Sequence, residues 1–298
     1  MSYVIVTDSA CNLPRRLVEQ YAIRVIPLTL NVDNCELTVK SYRMDELDQL
    51  KQLYTKMRRG VRFNTHPLNK ERCETVFREV LAHGDDLLYI GFSSTLSDTF
   101  ATAKFVLHAL AAAYPERTIR MVDSLAASLG EGLLVYHAGI LQEQGEDLET
   151  VYRWLLANRS LVRQWFTVGN LQFLQKSGRD NGRLFWAKLL GQKPILRINE
   201  RGALVPAKRV RSRKRALDVL VREMGNSIVE PDRQTVFIAH GDCIEDAQYL
   251  SRRIRERVHP DECLIHFIDP VVGAHCGPDT IGVFFLGKDI HLGKDIHR

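Results

Sequence analysis

Short apolar runs alternate with amphipathic stretches along most of the chain, and this alternation restricts the fold more than any other feature of the sequence. It is the pattern of parallel strands joined by crossover helices, so the fold class is α/β. In the first half, strands are predicted over 4–7, 24–31, 87–92 and 119–122, with helices near 15–21, 44–59, 69–82, 97–113 and 126–143. In the second half, strands are predicted over 165–168, 194–198, 236–239, 264–268 and 281–285, with helices over 213–227 and 244–257. A polar, glycine-containing break, Gln144-Gly145-Glu146-Asp147, precedes a further helical run to about Arg159. With 298 residues the chain has room for two domains, and the division is expected at 1–160 and 161–298, both α/β with mainly parallel sheets.

Composition narrows the class. Hydrophobic residues at 45% and charged residues at 26% are ordinary soluble usage, which excludes a disordered chain, and no window reaches the ~20 apolar residues of a membrane-spanning helix. Met1-Ser2-Tyr3 leads straight into Val4-Ile5-Val6, so no secretory signal is expected and a cytoplasmic protein is. Cys11, Cys35, Cys73, Cys243, Cys263 and Cys276 show no Cys-x-x-Cys pair and no zinc-type pairing with histidine, so reduced thiols and no metal are expected. The net charge of +5 owes much to the run Lys208-Arg209-Val210-Arg211-Ser212-Arg213-Lys214-Arg215. Such a run fits a solvated helix start or a contact with phosphate or an acidic surface; it lacks the interleaved aromatic residues of a single-strand binding face. The final repeat, Gly287 to His291 echoed at Gly293 to His297, is expected to fray.

The residues that look chemical fall at the ends of predicted strands, the edge of an open parallel sheet where ligands bind. Thr7-Asp8-Ser9 with Asn12 follows the first strand, Ser93-Ser94-Thr95-Leu96-Ser97-Asp98-Thr99 the third, and Asp123-Ser124 with Ser128 the fourth. Each cluster suits a helix N-cap. Three on one edge also make a seat for a carboxylate or phosphate, because hydroxyls and free N–H groups meet there. Later candidates are Ser177-Gly178-Arg179, whose arginine suits an anion, and Gly273-Ala274-His275-Cys276-Gly277-Pro278, where glycines let the backbone approach a ligand. There is no Gly-x-Gly-x-x-Gly fingerprint, no Gly-x-x-x-x-Gly-Lys-Ser/Thr loop and no Gly-x-Ser-x-Gly elbow, which removes most support from nicotinamide chemistry and nucleotide hydrolysis.

Taken in order, these segments resemble the DegV family, which includes the fatty-acid-binding subunits of bacterial fatty acid kinases. The resemblance is carried by Thr7-Asp8-Ser9 to Leu13-Pro14, Ser93-Ser94-x-Leu96-Ser97-x-Thr99, Val122-Asp123-Ser124 to Ser128-x-Gly130-x-Gly132-Leu133-Leu134, and Leu171-x-Phe173-Leu174 to Gly178-Arg179. It continues through Lys193-Pro194-Ile195-Leu196, Val210-Arg211-x-Arg213-Lys214, and Pro270-Val271-Val272-Gly273-x-His275-x-Gly277-Pro278 to Phe284-Phe285-x-Gly287. It implies a ligand cleft between two α/β domains, with a long-chain fatty acid buried in it and no other cofactor. The carboxylate is then expected to meet Ser93 or Ser94, together with Thr65 or Asn64 in the loop before Pro67. That loop reads Asn64-Thr65-His66-Pro67-Leu68 where the family has Thr-Ser-Gln-Pro-Ser. Asp98 stands where the family has glycine and is expected to point away from the pocket. Arg179 and His275 are implied to act at the carboxyl end, assisting phosphoryl transfer by a dihydroxyacetone-kinase-like fatty acid kinase subunit. On this reading the chain is a lipid-binding carrier and not itself an enzyme.

Two other readings remain. A serine hydrolase would use Ser94 or Ser93 as nucleophile, His275 as base and Asp123 or Asp8 to orient the histidine. A nucleic-acid-binding regulator would rest on the run from Lys208 to Arg215 alone.

Overall fold

A computed structural model describes residues 2–33, 35–39, 47–176 and 191–288. In chain order its first half contains β1 (Tyr3–Asp8), α1 (Arg15–Gln20), β2 (Arg24–Ile26), β3 (Leu28–Val32), β4 (Cys35–Val39), α2 (Leu47–Arg58), β5 (Phe63–His66), α3 (Lys70–His83), β6 (Asp86–Gly91), α4 (Thr99–Ala113), β7 (Ile119–Asp123), α5 (Leu129–Glu143) and α6 (Leu148–Asn158). The second half contains β8 (Val162–Thr167), α7 (Gln172–Lys176), β9 (Lys193–Ile198), β10 (Leu204–Val210), α8 (Arg213–Ser227), β11 (Thr235–His240), α9 (Ile244–Val258), β12 (Glu262–Phe267), α10 (Pro270–Cys276) and β13 (Ile281–Leu286).

The described strands form three sheets. The first, ordered β2-β1-β6-β7, is parallel throughout, as the βαβ pattern requires. The second, β10-β9-β8-β13-β11-β12, has only its β11–β12 pair parallel; its other four pairs are antiparallel. A mainly parallel second sheet was the expectation, but the periodicity of a strand does not encode the direction of its neighbour. The third sheet, β4-β3-β5, is a small antiparallel one. The stretch predicted as one strand over 24–31 is broken at Pro27, which cannot donate to a ladder, and its halves join different sheets. The Gly-x-His segment, read as a loop, is the short helix α10, with Pro270 in its first turn and the Asp269 carboxylate accepting from the N–H groups of Val271 and Val272. The basic run is shared between the exposed end of β10 and the start of α8, where Ser212 caps the helix. The terminal repeat lies outside the described residues beyond Lys288.

The helix α5 joins the halves. Nine of its residues are buried, among them Leu133, Leu134, Val135 and Ala138, in a core that includes Leu88 and Ile90 of β6 as well as Phe237, Ala239 and Phe284 of the second sheet. Each fully buried leucine or valine stabilises by about 1.5–3 kcal/mol. The helix can lie this deep because its glycines leave room: a Cβ on Gly132 would sit 2.4 Å from the Cys11 carbonyl oxygen, and one on Gly139 would sit 2.5 Å from Cγ of Tyr21.

Buried acid accompanies this packing. Glu131 on α5 is wholly buried; its Oε1 accepts from the Thr7 hydroxyl at 3.0 Å, and its Oε2 has no partner. Burial, reinforced by the nearby Asp8, holds the Glu131 carboxyl well above the usual range. Asp8, at the end of β1, accepts from the Ala10 N–H at 3.0 Å and from the Phe92 N–H and Tyr89 hydroxyl at 3.3 Å each. Burial raises its carboxyl to about 6, with those three donors pulling the other way.

Two expectations follow from this packing. Gly132→Ala forces a methyl group into a backbone oxygen and is expected to lower stability by roughly 1–3 kcal/mol in urea unfolding. The carboxyls set a pH dependence. Between their unfolded and folded pKa values the folded chain holds protons that the unfolded chain has released, so the stability these two groups contribute is greatest below about pH 4 and falls as pH rises, through about 6 for Asp8 and further for Glu131. Glu131→Gln keeps an acceptor for Thr7 and removes the charge. Urea unfolding should find it more stable than the parent at about pH 8 and equal near pH 4, where the parent carboxyl is protonated in both states; a loss of stability at both values would contradict this.

Candidate functional site

A cavity of about 430 Å³ opens at the C-terminal edge of the parallel sheet, between it and the second sheet. One wall is the β6–α4 loop with Ala127 and Ser128 at the start of α5; the opposite wall is Phe166 of β8, Ile198 of β9, Leu204 of β10 and Phe284 of β13. The remaining sides are the end of β5, with Thr65, His66 and Pro67, and the helix α10, with Val271, Val272 and His275. Of the lining groups, His66, Pro67, Ser94, Thr95 and Asp98 are exposed and mark the mouth, whereas Leu174, Leu204, Ile268 and Phe284 are buried and mark an apolar interior. An apolar pocket with a few polar groups at one end suits an amphiphile with a long tail.

The structure brings Thr65 and His275 together: Thr65 Oγ1 lies 2.7 Å from His275 Nε2, the tautomer deciding which of them donates. Strand alternation on β5 turns Thr65 inward and leaves Asn64 exposed and outside the lining. Of the two serines, Ser94 stands at the mouth. Its hydroxyl donates to Asp123 Oδ2, and Asp123 Oδ1 accepts from the N–H groups of Ser94 at 3.2 Å and Leu125 at 3.1 Å. Ser93 is wholly buried and does not line the cavity; its hydroxyl donates to the Gly202 carbonyl at 3.0 Å, in the β9–β10 turn. Thr95 repeats the tie to that turn, donating to the Arg201 carbonyl at 2.8 Å. Ser97 donates to the Thr99 hydroxyl and accepts the Thr99 N–H, which caps the start of α4. The hydroxyl run is thus divided between holding the second sheet and lining the mouth.

Asp98 is exposed and is among the residues that line the mouth. Arg179 lies outside the described residues.

The glycines flanking His275 serve a purpose other than ligand approach. A Cβ on Gly273 would meet the Tyr54 hydroxyl oxygen at 2.5 Å, and one on Gly277 would meet the Phe173 ring at 2.4 Å. Gly277 also ends α10 at φ +81°, a left-handed conformation that glycine takes without strain. The motif seats two aromatic rings against α10.

A serine-hydrolase triad needs the serine hydroxyl on a histidine nitrogen and a carboxylate on the other. Here the Ser94 hydroxyl donates to Asp123 itself, His275 Nε2 meets Thr65, and the Asp8 carboxylate is occupied by Ala10, Phe92 and Tyr89. Among the described contacts the serine hydroxyl thus sits on the carboxylate, not on the histidine. In the basic run, Lys208 pairs with Glu223 and Arg213 with Asp246. No described helix is long and apolar enough to cross a membrane.

The apolar wall was missed by sequence reasoning, because alternation on a strand does not distinguish a face that borders a cavity from one that borders a core. Asp123 had a signal, since it heads a hydroxyl cluster at a strand end.

Comparison with known proteins agrees with this architecture. The family model described as an uncharacterised protein of the DegV family matches residues 2–288. A DegV domain-containing protein of Clostridium perfringens is 37% identical over 289 residues, 96% of this chain and 97% of that protein. Among solved structures, a DegV family protein from Thermus thermophilus described as binding fatty acid superposes with a TM-score of 0.85 at 28% identity, covering 97% of this chain and 100% of that one. A DegV lipid-binding protein from Thermotoga maritima shares the fold with a TM-score of 0.84 at 24% identity, covering 97% of this chain and 99% of that one. With a family match over nearly its whole length and a relative of this identity, the chain belongs to the DegV family.

Proposed function

We propose that this protein binds a long-chain fatty acid in the cavity between its two halves and presents the carboxylate at the mouth to a partner kinase of the dihydroxyacetone-kinase-like type. The observation that carries the reading is the cavity's polarity: a buried apolar interior ending at a hydroxyl–imidazole pair, Thr65 and His275. The Thermus relative described as binding fatty acid, with the same fold over nearly the whole chain, supports it. We treat 1–160 and 161–298 as the two domains, since every strand of the parallel sheet precedes that division and every strand of the six-stranded sheet follows it.

Tail and head contribute differently. Burying about 14 methylenes at about 0.8 kcal/mol each is worth on the order of 11 kcal/mol before the costs of association. A charge-assisted hydrogen bond adds about 1.5–3 kcal/mol. The tail therefore supplies the affinity, and Thr65 with His275 sets which end faces out. Ser94 takes a lesser part, because its hydroxyl is committed to Asp123, whose carboxylate would repel a second one. Ser93 and Asn64 take none in this reading. Arg179 keeps its proposed role beside the carboxyl on the resemblance alone. The protein is then a carrier whose ligand is converted to an acyl phosphate by the partner, and a cytoplasmic site is consistent with its five described free cysteines.

Native and denaturing mass spectrometry of the purified protein tests the reading: an acyl chain should be present in the native spectrum and released on unfolding. Thr65→Val keeps the volume and removes the hydroxyl, and is expected to weaken binding of the free acid by about tenfold or more while leaving the methyl ester little changed. A protein that neither carries nor takes up fatty acid overturns the proposal. Addition of the kinase subunit and ATP should convert bound acid to a hydroxylamine-trappable acyl phosphate.

A further inference from the structure

The arm that carries Thr65 also carries α2, and α2 is fastened to the second half of the chain on the far side of α10. Tyr54 of α2 is wholly buried, with its ring on Gly273 and its hydroxyl donating to the Ile268 carbonyl at 2.9 Å. One turn later the Arg58 guanidinium bridges two loops: it pairs with the Asp242 carboxylate, donates to the Asp242 carbonyl at 3.0 Å and reaches Asp279 Oδ1 at 2.8 Å.

The two acidic loops are built to face that guanidinium. The Asp279 N–H donates to the Gly241 carbonyl and the Gly241 N–H to the Thr280 carbonyl, each at 2.7 Å, which locks the loops side by side. Both aspartates hold left-handed backbone, φ +57° at Asp242 and +60° at Asp279, a strained conformation for a residue with a side chain. Two carboxylates fixed close together by backbone bonds repel each other unless a cation lies between them. A planar guanidinium, with donors on both edges, satisfies both at once.

The latch bears on the cavity through the arm. Thr65 meets His275 near the C-terminal end of α10, Tyr54 holds Ile268, two residues before that helix, and the arm's next residues, His66 and Pro67, form part of the rim. The rim therefore cannot swing away from α10 while Arg58 holds. The pair is only partly buried, with the Arg58 side chain 37% exposed and that of Asp279 51%, so it opens at small cost and is sensitive to salt.

We infer that Arg58 is a positioning residue that latches the β5 arm onto α10 through Asp242 and Asp279, and so sets how fast a fatty acid enters and leaves the cavity. The inference rests on the fatty-acid reading above. A latch acts on the opening step that entry and exit share, so loosening it speeds both and leaves the equilibrium nearly unchanged; a residue that touches the ligand changes the equilibrium.

Stopped-flow fluorescence with cis-parinaric acid as the probe, displaced by unlabelled palmitate, separates these cases. For Arg58→Ala the association and dissociation rates are each expected to rise about fivefold, with Kd within about twofold of the parent. Raising salt from ~0.1 M to ~1 M should speed exchange in the parent and not in the variant, a response that loss of packing alone would not produce. Arg58→Lys, reaching one carboxylate at a time, should fall between. Should Arg58→Ala fail to fold, Asp279→Asn on the exposed loop carries the same expectation in the same direction. Unchanged rates at unchanged Kd, or a rise in dissociation alone with weaker Kd, would overturn the latch. A parent protein that takes up neither acid overturns the fatty-acid reading and the latch with it, an outcome visible before any variant is made.

Discussion

The structure depends on one close approach, that of α5 to the strands on either side of it. A helix buried on nearly every face cannot belong to one sheet alone; it needs apolar surface from two, and β6 and β13 supply it. The glycines at 132 and 139 set how close the first half comes, since a methyl group at either would meet the Cys11 carbonyl or the Tyr21 ring. The cavity is a consequence of the same wedge. α5 begins at Leu129, and the residues just before it, Ala127 and Ser128, are already lining. Where the wedge stops, the sheets remain apart and none of the described side chains fills the gap.

Polar groups around that gap are sorted by what they already hold. Ser93 and Thr95 tie the first sheet to the β9–β10 turn, and the Ser94 hydroxyl is drawn to Asp123. An anionic head group placed near Ser94 meets the Asp123 carboxylate, and Asp98 adds a second negative side chain at the mouth. Across the mouth, Thr65 and His275 offer a hydroxyl and an imidazole. The described acidic groups thus lie on one side of the opening, an asymmetry invisible in a run of hydroxyl residues read as a string.

Much of this was legible in the sequence where chemistry is local. Nine apolar runs mark ten of the thirteen described strands, one run covering both β2 and β3, and the sequence candidates Thr65, Ser94 and His275 all line the cavity. What failed was non-local. Strand direction in the second sheet is set by pairing partners far apart in sequence, as when β13 lies between β8 and β11. β4 is only five residues long, β5 carries a single apolar residue, and β10 is masked by its charges. Ser93 and Ser94 are chemically alike, and only the position of Gly202 decides that one is structural.

The Gly-x-His-x-Gly stretch shows why such motifs mislead in a particular way. Its glycines suggest backbone laid against a ligand, yet each makes room for an aromatic ring from elsewhere in the chain, Tyr54 at Gly273 and Phe173 at Gly277. The histidine between them is held in place because the helix that bears it is gripped on both sides. α10 has seven residues, too few to be stable by its own hydrogen bonds. Its conformation must come from the Asp269 cap and from the two rings. A side chain on so short a helix is only as well placed as those contacts make it, so the packing of Tyr54 and Phe173 belongs to the proposed head-group site as much as His275 does.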